Sequence, residues 1–213
     1  MTRLTPSLPA AQGMSMVNLA ARQRMLSQRL TLQIVLASQG RQELISAAQA
    51  TLKQFEDSEQ HLVNTARALT GTEGERLRAA YFEPGHVART VDVFIRDAHT
   101  ALASASLDRP AQASLDRLVG SMDTVLQALN QATSAFDDIS TAKEASIMRE
   151  LKAIVGDIQS VAREAKIVSF NAQVIAARAG AVGREFSVVA NTLVNISSEV
   201  DTLARKGMAL ATR

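Results

Sequence analysis

The sequence predicts an all-α protein, an antiparallel helical bundle that continues into an antiparallel coiled-coil hairpin. Hydrophobic residues make up 46% of the 213 residues, whereas aromatic residues contribute 3% and tryptophan is absent. This balance is typical of helices that pack through alanine, leucine, valine and isoleucine. Ten glycines and four prolines leave few turns, so the elements must be few and long. Apolar residues also recur at steps of three and four along most of the chain, the period of a helix with one buried face.

The first two thirds of the chain contain a leader and then a helical domain. We expect residues 1–13 to be a flexible leader and residues 14–140 to form a four-helix bundle. Ser15 suits the N-cap of the first helix, and Gly40 suits its C-terminal stop.

The next elements of this bundle are separated by glycine and proline. A second helix is predicted over residues 41–69, followed by a loop at Thr70–Gly74. A short helix to Phe82 should be broken at Pro84, and the third main helix resumes at His86.

Asp108 can cap the next helix, with Pro110 in its first turn, and nothing then interrupts the helical pattern before Gly180. One apolar series steps by three and four without error: Leu115, Leu118, Met122, Val125, Leu129, Ala132, Phe136, Ile139. A second series is Leu151, Ile154, Ile158, Val161, Ala165, Val168, Ala172, Ile175. The two are joined by successive four-residue steps, as in a stutter of a heptad repeat. We place a domain boundary at this phase shift, whether or not the helix is continuous there.

Residues 141–213 are therefore predicted to form a hairpin with its tip near residues 180–184. The repeat resumes after the tip at Phe186, Val189, Leu193, Ile196, Val200, Leu203. Each arm is about 30 residues long if the first begins near Glu150. Two helices alone bury such an apolar seam poorly, so we expect a homodimer whose hairpins form a four-helix bundle.

Composition also excludes several classes of function. The formal net charge is +2 with acids and bases interspersed, which argues against a nucleic-acid-binding stripe. There is no cysteine, and His61, His86 and His99 lie too far apart in sequence to suggest a metal site. No nucleophile–base set or phosphate loop is visible, so neither an enzyme nor a cofactor is expected. No apolar segment approaches the roughly 18 residues of a membrane span, and no signal peptide is present, which predicts a cytoplasmic protein.

Arg24 stands apart on the first helix. The stripe predicted to face the core contains Leu19, Leu26, Leu30 and Ile34. Arg24 lies on another, small and semi-polar stripe with Val17, Ala20, Ser27, Gln28, Thr31 and Val35, which we interpret as a dimer surface. Two facing arginines would repel, and a small oxyanion between them would relieve that repulsion. An Arg24 paired with a neighbouring acid, or reaching water, is the alternative.

Residues 18–29, NLAARQRMLSQR, resemble the opening motif of the PilJ-like N-terminal domain of type IV pili methyl-accepting transducers. That domain is related to the nitrate-sensing input domains of NarX-type kinases. The family pattern has glycine where this chain has Ala21. The resemblance implies a sensory bundle in which Arg24 contacts nitrate or another small anion, with Ala21, Ser27, Gln28 and Arg29 around the ligand.

Residues 171–190, NAQVIAARAGAVGREFSVVA, are similar to the hairpin tip of methyl-accepting chemotaxis receptors, whose pattern reads NAAxEAARAGExGRGFAVVA. The resemblance implies that the tip binds signalling proteins such as the adaptor CheW and the kinase CheA. The partner-binding residues that it suggests are Ile167, Asn171, Arg178, Arg184 and Val188.

Three positions depart from that receptor pattern where output depends on them. Ile175 and Ala181 replace glutamates of the tip, and Arg163 replaces the phenylalanine that packs receptor trimers. We therefore expect no strong activation of CheA through CheW. Two functions remain open: a chemoreceptor-like sensor that relays ligand binding to the hairpin, or a non-sensing dimeric interaction module that docks on a partner protein or receptor array.

Overall fold

The computed structural model describes residues 14–83, 87–106 and 112–210, and these ranges are helical almost throughout, with no β-strand in them. The helices are α1 (Met16–Ser38), α2 (Leu44–Ala68), α3 (Gly71–Phe82), α4 (Val87–Ala105), α5 (Gln112–Gly120), α6 (Met122–Arg178) and α7 (Arg184–Leu210), with one 3-10 turn at Gly180–Gly183. The predicted all-α fold is confirmed. The chain divides into two compact units, the first ending at Thr141 and the second beginning at Ala142, both within α6.

Helix α1 begins and ends as its sequence predicts. The Ser15 hydroxyl accepts a hydrogen bond from the Asn18 backbone N–H at 3.2 Å, the geometry of an N-cap. The helix ends at Ser38, two residues before Gly40, whose φ of 101° a residue with a side chain rarely adopts. The stripe predicted to face the core is fully buried: Leu19, Leu26, Leu30, Ile34.

The predicted loop at Thr70–Gly74 is wrong, because α3 begins at Gly71. A Cβ on Gly74 would lie 2.1 Å from the Leu69 carbonyl oxygen, so this glycine lets α3 turn tightly against the end of α2. The Arg78 guanidinium donates to the same oxygen at 2.6 Å. Glycine serves here for a close approach inside a helix and not for a loop.

The helical pattern that continues to Gly180 in the sequence is divided once in the structure, at Ser121. Helix α5 ends at Gly120 and α6 begins at Met122. The Ser121 N–H donates to the Arg117 carbonyl and the Ser121 carbonyl accepts from the Val125 N–H, both at 3.0 Å, so helical hydrogen bonding spans the break. Helix α6 then runs through the phase shift at residues 139–147 without interruption.

Four predictions of helix boundaries concern residues outside the described ranges. These are the leader at residues 1–13, the break at Pro84, the helix start at His86, and the capped start at Asp108 and Pro110.

The core of the first unit lies between α1, α2, α4, α5 and the beginning of α6, and α3 contributes Leu77 and Tyr81 to it. Two pairs of aromatic rings pack edge to face between helices. The ring centroids of Phe55 on α2 and Phe94 on α4 lie 5.4 Å apart, and those of Tyr81 and Phe136 on α6 lie 5.9 Å apart. The series predicted from Leu115 to Ile139 faces this core: its members are buried except Met122 and Ile139, which are partly buried.

The two arms of the hairpin contact each other through small side chains. The buried residues of the second unit recur at intervals of seven: Val155, Ala162, Ser169 and Ala176 on α6, then Gly183, Ala190, Ser197 and Ala204. A Cβ on Gly183 would lie 2.1 Å from the Ala176 carbonyl oxygen, so the turn closes only with glycine there. The large apolar side chains stay outside this contact.

Candidate functional site

Arg24 lies on the exposed surface of α1 and is held by neutral partners. Its Nη1 donates to Oδ1 of Asn130 on α6 at 2.7 Å, and its Nε donates to the Ala21 carbonyl at 3.4 Å. Within the described ranges no carboxylate forms an ion pair with it, so the predicted alternative of a neighbouring acid is not observed there. A guanidinium has five N–H donors, and these two bonds leave the others available to a further acceptor.

The remaining residues of the predicted ligand site fall into two groups. Gln28 is exposed and Ala21 is half-buried, and both lie within about 60° of Arg24 around the helix axis. Arg29 is exposed but lies about 140° away, on the side of Arg22. Ser27 is fully buried, and its hydroxyl donates to the Arg24 carbonyl at 2.9 Å. It therefore does not line the same surface.

The stripe predicted as a dimer surface is partly core. Ala20, Ser27 and Thr31 are buried within the chain's own bundle. The start of α6 contacts Thr31, whose hydroxyl donates to Sδ of Met122 at 3.1 Å. What stays accessible is the rim of the stripe, where Arg24 meets Asn130.

A second group of polar residues lies inside the bundle, and we call Gln23, Glu59 and Tyr81 the core polar cluster. They come from α1, α2 and α3, and their relative exposures are 0%, 6% and 0%. Nε2 of Gln23 donates to the Phe55 carbonyl at 3.0 Å and to Oε2 of Glu59 at 3.2 Å. Three oxygens of the cluster, Gln23 Oε1, Glu59 Oε1 and the Tyr81 hydroxyl, have no protein hydrogen-bond partner among the described residues.

Burial shifts the titration of this cluster. Loss of water around the carboxylate raises the pKa of Glu59 to about 7, against the smaller opposing effect of the Gln23 hydrogen bond. Burial also raises the pKa of Tyr81, and the negative charge of Glu59 adds to that rise. The carboxyl thus changes its charge near neutral pH.

The hairpin presents an apolar face. With the buried small residues at heptad position a, eleven large apolar side chains occupy positions d and g of both arms and are 41–65% exposed, while others such as Ile167 and Phe170 lie elsewhere on the arms. We call the eleven side chains at d and g the d/g face: Leu151, Ile154, Ile158, Val161, Val168 and Ile175 on α6, and Phe186, Val189, Leu193, Ile196 and Leu203 on α7. Because the arms are antiparallel, positions d and g of both lie on the same side of the hairpin. A groove on the other side is polar, lined by Arg163 and Lys166 of α6 and by Ser198, Asp201 and Arg205 of α7.

The five residues suggested for partner binding at the tip lie on the outside of the hairpin. Ile167, Asn171, Arg178, Arg184 and Val188 are all exposed, and none belongs to the contact between the arms or to the d/g face. A protein that approaches the outer surface of the hairpin could reach each of them.

Sequence reasoning missed the core polar cluster and Asn130, although part of the signal was present. Gln23 fills the gap between Leu19 and Leu26 in the inward stripe of α1, and Glu59 fills the gap between Phe55 and Leu62 on α2. A polar residue at a core position of each of two neighbouring helices indicates a buried pair. Nothing local to the sequence marks Asn130 as the partner of Arg24.

Comparisons of the chain with protein-family models, with curated proteins and with solved structures found no match. The resemblance of its two motifs to sensory and receptor families stays a prediction. Among the described residues, no group of three histidine, aspartate or glutamate side chains could hold a metal ion, and no helix carries a segment long and apolar enough to cross a membrane.

Proposed function

We propose that this protein transduces a signal, with the helical bundle as the sensory input and the C-terminal hairpin as an output element that pairs with a second copy. The d/g face carries this proposal. It is an apolar surface to which α6 contributes six side chains and α7 five, and the hairpin of a second copy offers a matching surface for it.

The magnitudes favour pairing. Complete burial of a valine, leucine or isoleucine contributes about 1.5–3 kcal/mol, so burying the exposed half of each side chain contributes about 1 kcal/mol. The eleven side chains of the d/g face on each copy then offset the roughly 4–15 kcal/mol that association costs in lost freedom of motion. Pairing yields a four-helix bundle of two hairpins. In it, the small side chains at position a pack between the arms of each copy, and the d/g faces pack between the copies.

Helix α6 gives the input a route to the output. Asn130, the partner of Arg24, belongs to the same helix as Ile158 and Val161 of the d/g face. Displacements of about 1–2 Å between packed helices are enough to switch an interface. A change in the contact between α1 and α6 would therefore act on the helix that supplies the first arm.

The ligand we propose is a small anion at Arg24. The guanidinium is exposed, carries unused N–H donors and has only neutral partners among the described residues, and its planar fork matches a planar oxyanion such as nitrate. Gln28, one turn away on the same side of α1, can contribute its amide. The exposed tip residues would meet the output partner, a CheW- or CheA-like protein or another signalling protein.

The pairing is tested by the mass of the protein in solution. The unmodified chain should run as a dimer of 22.8-kDa subunits in light scattering at concentrations on the order of tens of micromolar. Val161→Lys on the d/g face should yield a monomer. Ile167→Lys is the matched control, because Ile167 is 62% exposed against 65% for Val161 but lies on the outer side, and this variant should remain a dimer. A monomeric unmodified chain, or an equal effect of both substitutions, would reject the proposed pairing.

A further inference from the structure

The core polar cluster is an unusual feature of an otherwise apolar bundle core. Gln23, Glu59 and Tyr81 are more than nine-tenths buried, and they come from three different helices. We propose that this cluster is a proton-binding site, at which Glu59 takes up a proton and thereby makes the packing of α1, α2 and α3 sensitive to pH. The inference does not depend on pairing of the hairpins.

The balance of donors and acceptors supports this inference. When Glu59 is ionised, the three oxygens without partners comprise two acceptors, on Gln23 and Glu59, and a single donor, the Tyr81 hydroxyl. A proton on Oε1 of Glu59 turns one of these unpaired acceptors into a donor. It also removes a charge whose burial would otherwise carry a large desolvation penalty.

The charged groups around the cluster offer the carboxylate no compensation. On α1, the neighbouring Arg22 is half-buried and Arg24 is exposed, and neither forms an ion pair with Glu59. On α2 itself, Glu56 faces His99 and Asp57 faces Lys53 at the surface. On α3, the described charged residues that are not exposed are Glu73 and Arg78, and the Arg78 guanidinium donates to the Leu69 carbonyl.

The helices α4 and α6 complete the surroundings with apolar faces. The charged residues of α4 lie at the surface: Arg89 is exposed, Asp92 pairs with Arg96, Asp97 with Arg117, and His99 with Glu56. The acids of α6 within the first unit, Asp123, Asp137 and Asp138, are exposed. Towards the core these helices present Phe94 and Phe136. The amide of Gln23 is thus the one polar group that hydrogen-bonds the Glu59 carboxyl within the described ranges.

The direction of the pH effect follows from the pKa of Glu59. Burial raises this pKa from its ordinary 4.5 to about 7, so between these two values the folded state binds more protons than the unfolded state. Stability is therefore highest below about pH 4.5, falls as the pH rises through this window, and becomes level above about pH 7 as far as Glu59 is concerned.

The chain contains its own reporter for this site. Tyr81 is its single tyrosine and tryptophan is absent, so intrinsic fluorescence originates at the cluster. An ionised carboxylate beside a phenol quenches its emission. The emission of the unmodified protein should fall in one step centred near pH 7, the pKa of Glu59.

Three variants test whether Glu59 causes this fall in emission. In Glu59→Gln it should disappear, because the amide keeps the shape of the protonated acid without titrating. In Asp57→Asn, which removes an exposed carboxyl from the same helix, it should persist. It should also persist in His61→Gln, which removes an exposed histidine from the same helix.

A second measurement observes the carboxyl group itself. In protein labelled with 13C at glutamate side chains, one carboxyl signal should titrate near pH 7, and this signal should be missing from Glu59→Gln. A fluorescence step near pH 4.5, a step that survives Glu59→Gln, or the absence of any such carboxyl signal would overturn the inference. All of these readouts are the same in a monomer and in a dimer, so they separate failure of this inference from failure of the hairpin pairing.

Discussion

Arg24 is the residue at which the proposed ligand binding can be tested most directly. We expect nitrate or another small anion to raise the melting temperature of the unmodified protein, since a ligand at 100 times its Kd stabilises by about 2.7 kcal/mol. Arg24→Ala should lower the affinity about tenfold or more, because losing a charge-assisted hydrogen bond removes about 1.5–3 kcal/mol.

Arg22→Ala is the control for this experiment. Arg22 lies on another side of α1 and is half-buried, so its loss should change the ligand-induced shift little. Equal shifts in Arg24→Ala and in the unmodified protein would contradict an anion site at Arg24. If no anion shifts the unmodified protein, the non-sensing interaction module becomes the better description of the chain.

At the residue scale, the sequence predicts which side chains are buried where the periodicity of a single helix determines it. The spacing of Leu19, Leu26 and Leu30 identifies the buried face of α1 without reference to any other helix. The pairing of Arg24 with Asn130 joins residues 106 positions apart, and the covering of Thr31 depends on where α6 begins. Such contacts depend on tertiary packing, which local periodicity does not encode.

Among the elements, the turn of the hairpin makes the sharpest prediction about stability. Gly183→Ala should destabilise the protein substantially, because its Cβ would meet the backbone oxygen of Ala176 at 2.1 Å and backbone cannot move aside easily. Gly156→Ala is the matched control: Gly156 lies within α6 with nothing within 4 Å of the added methyl group. That substitution should stabilise by about 0.5–1 kcal/mol through helix propensity.

Both effects can be measured by chemical or thermal unfolding followed by circular dichroism. If both substitutions changed the free energy of unfolding in the same direction, close packing at the turn would not govern the stability of the hairpin.

The sequence predicts element boundaries well where caps or long repeats define them. It predicts them poorly where a glycine can either end a helix or allow close backbone approach within one. The Ser15 cap and the Gly40 stop fixed α1 to within two residues. Gly71 and Gly74 indicated a loop, yet both lie in α3. A glycine such as Gly74, which admits a neighbouring carbonyl, looks the same in sequence as one that ends a helix. The break at Ser121 has no proline and no glycine pair to announce it.

At the scale of the whole molecule, two compact units share one helix, and their stabilities should respond to different variables. The first unit has a large apolar core with a titrating carboxyl inside it. The second has little interior of its own, because its arms meet through small side chains and its large apolar residues are exposed. The first should therefore be sensitive to pH, and the second to protein concentration.

We predict two unfolding transitions that separate on this basis. Tyr81 emission follows the first unit alone, since the single tyrosine lies in α3, whereas far-ultraviolet circular dichroism follows the helices of both. The transition seen by Tyr81 should move to lower temperature as the pH rises from about 5 to 7, because the unfolded state then holds fewer protons than the folded state. The midpoint temperature of the additional transition seen by circular dichroism should rise with protein concentration, as expected when folding is linked to association. Val161→Lys should remove this concentration dependence and leave the Tyr81 transition in place. If both probes instead gave one coincident transition at every concentration, the two units would unfold as a single cooperative body.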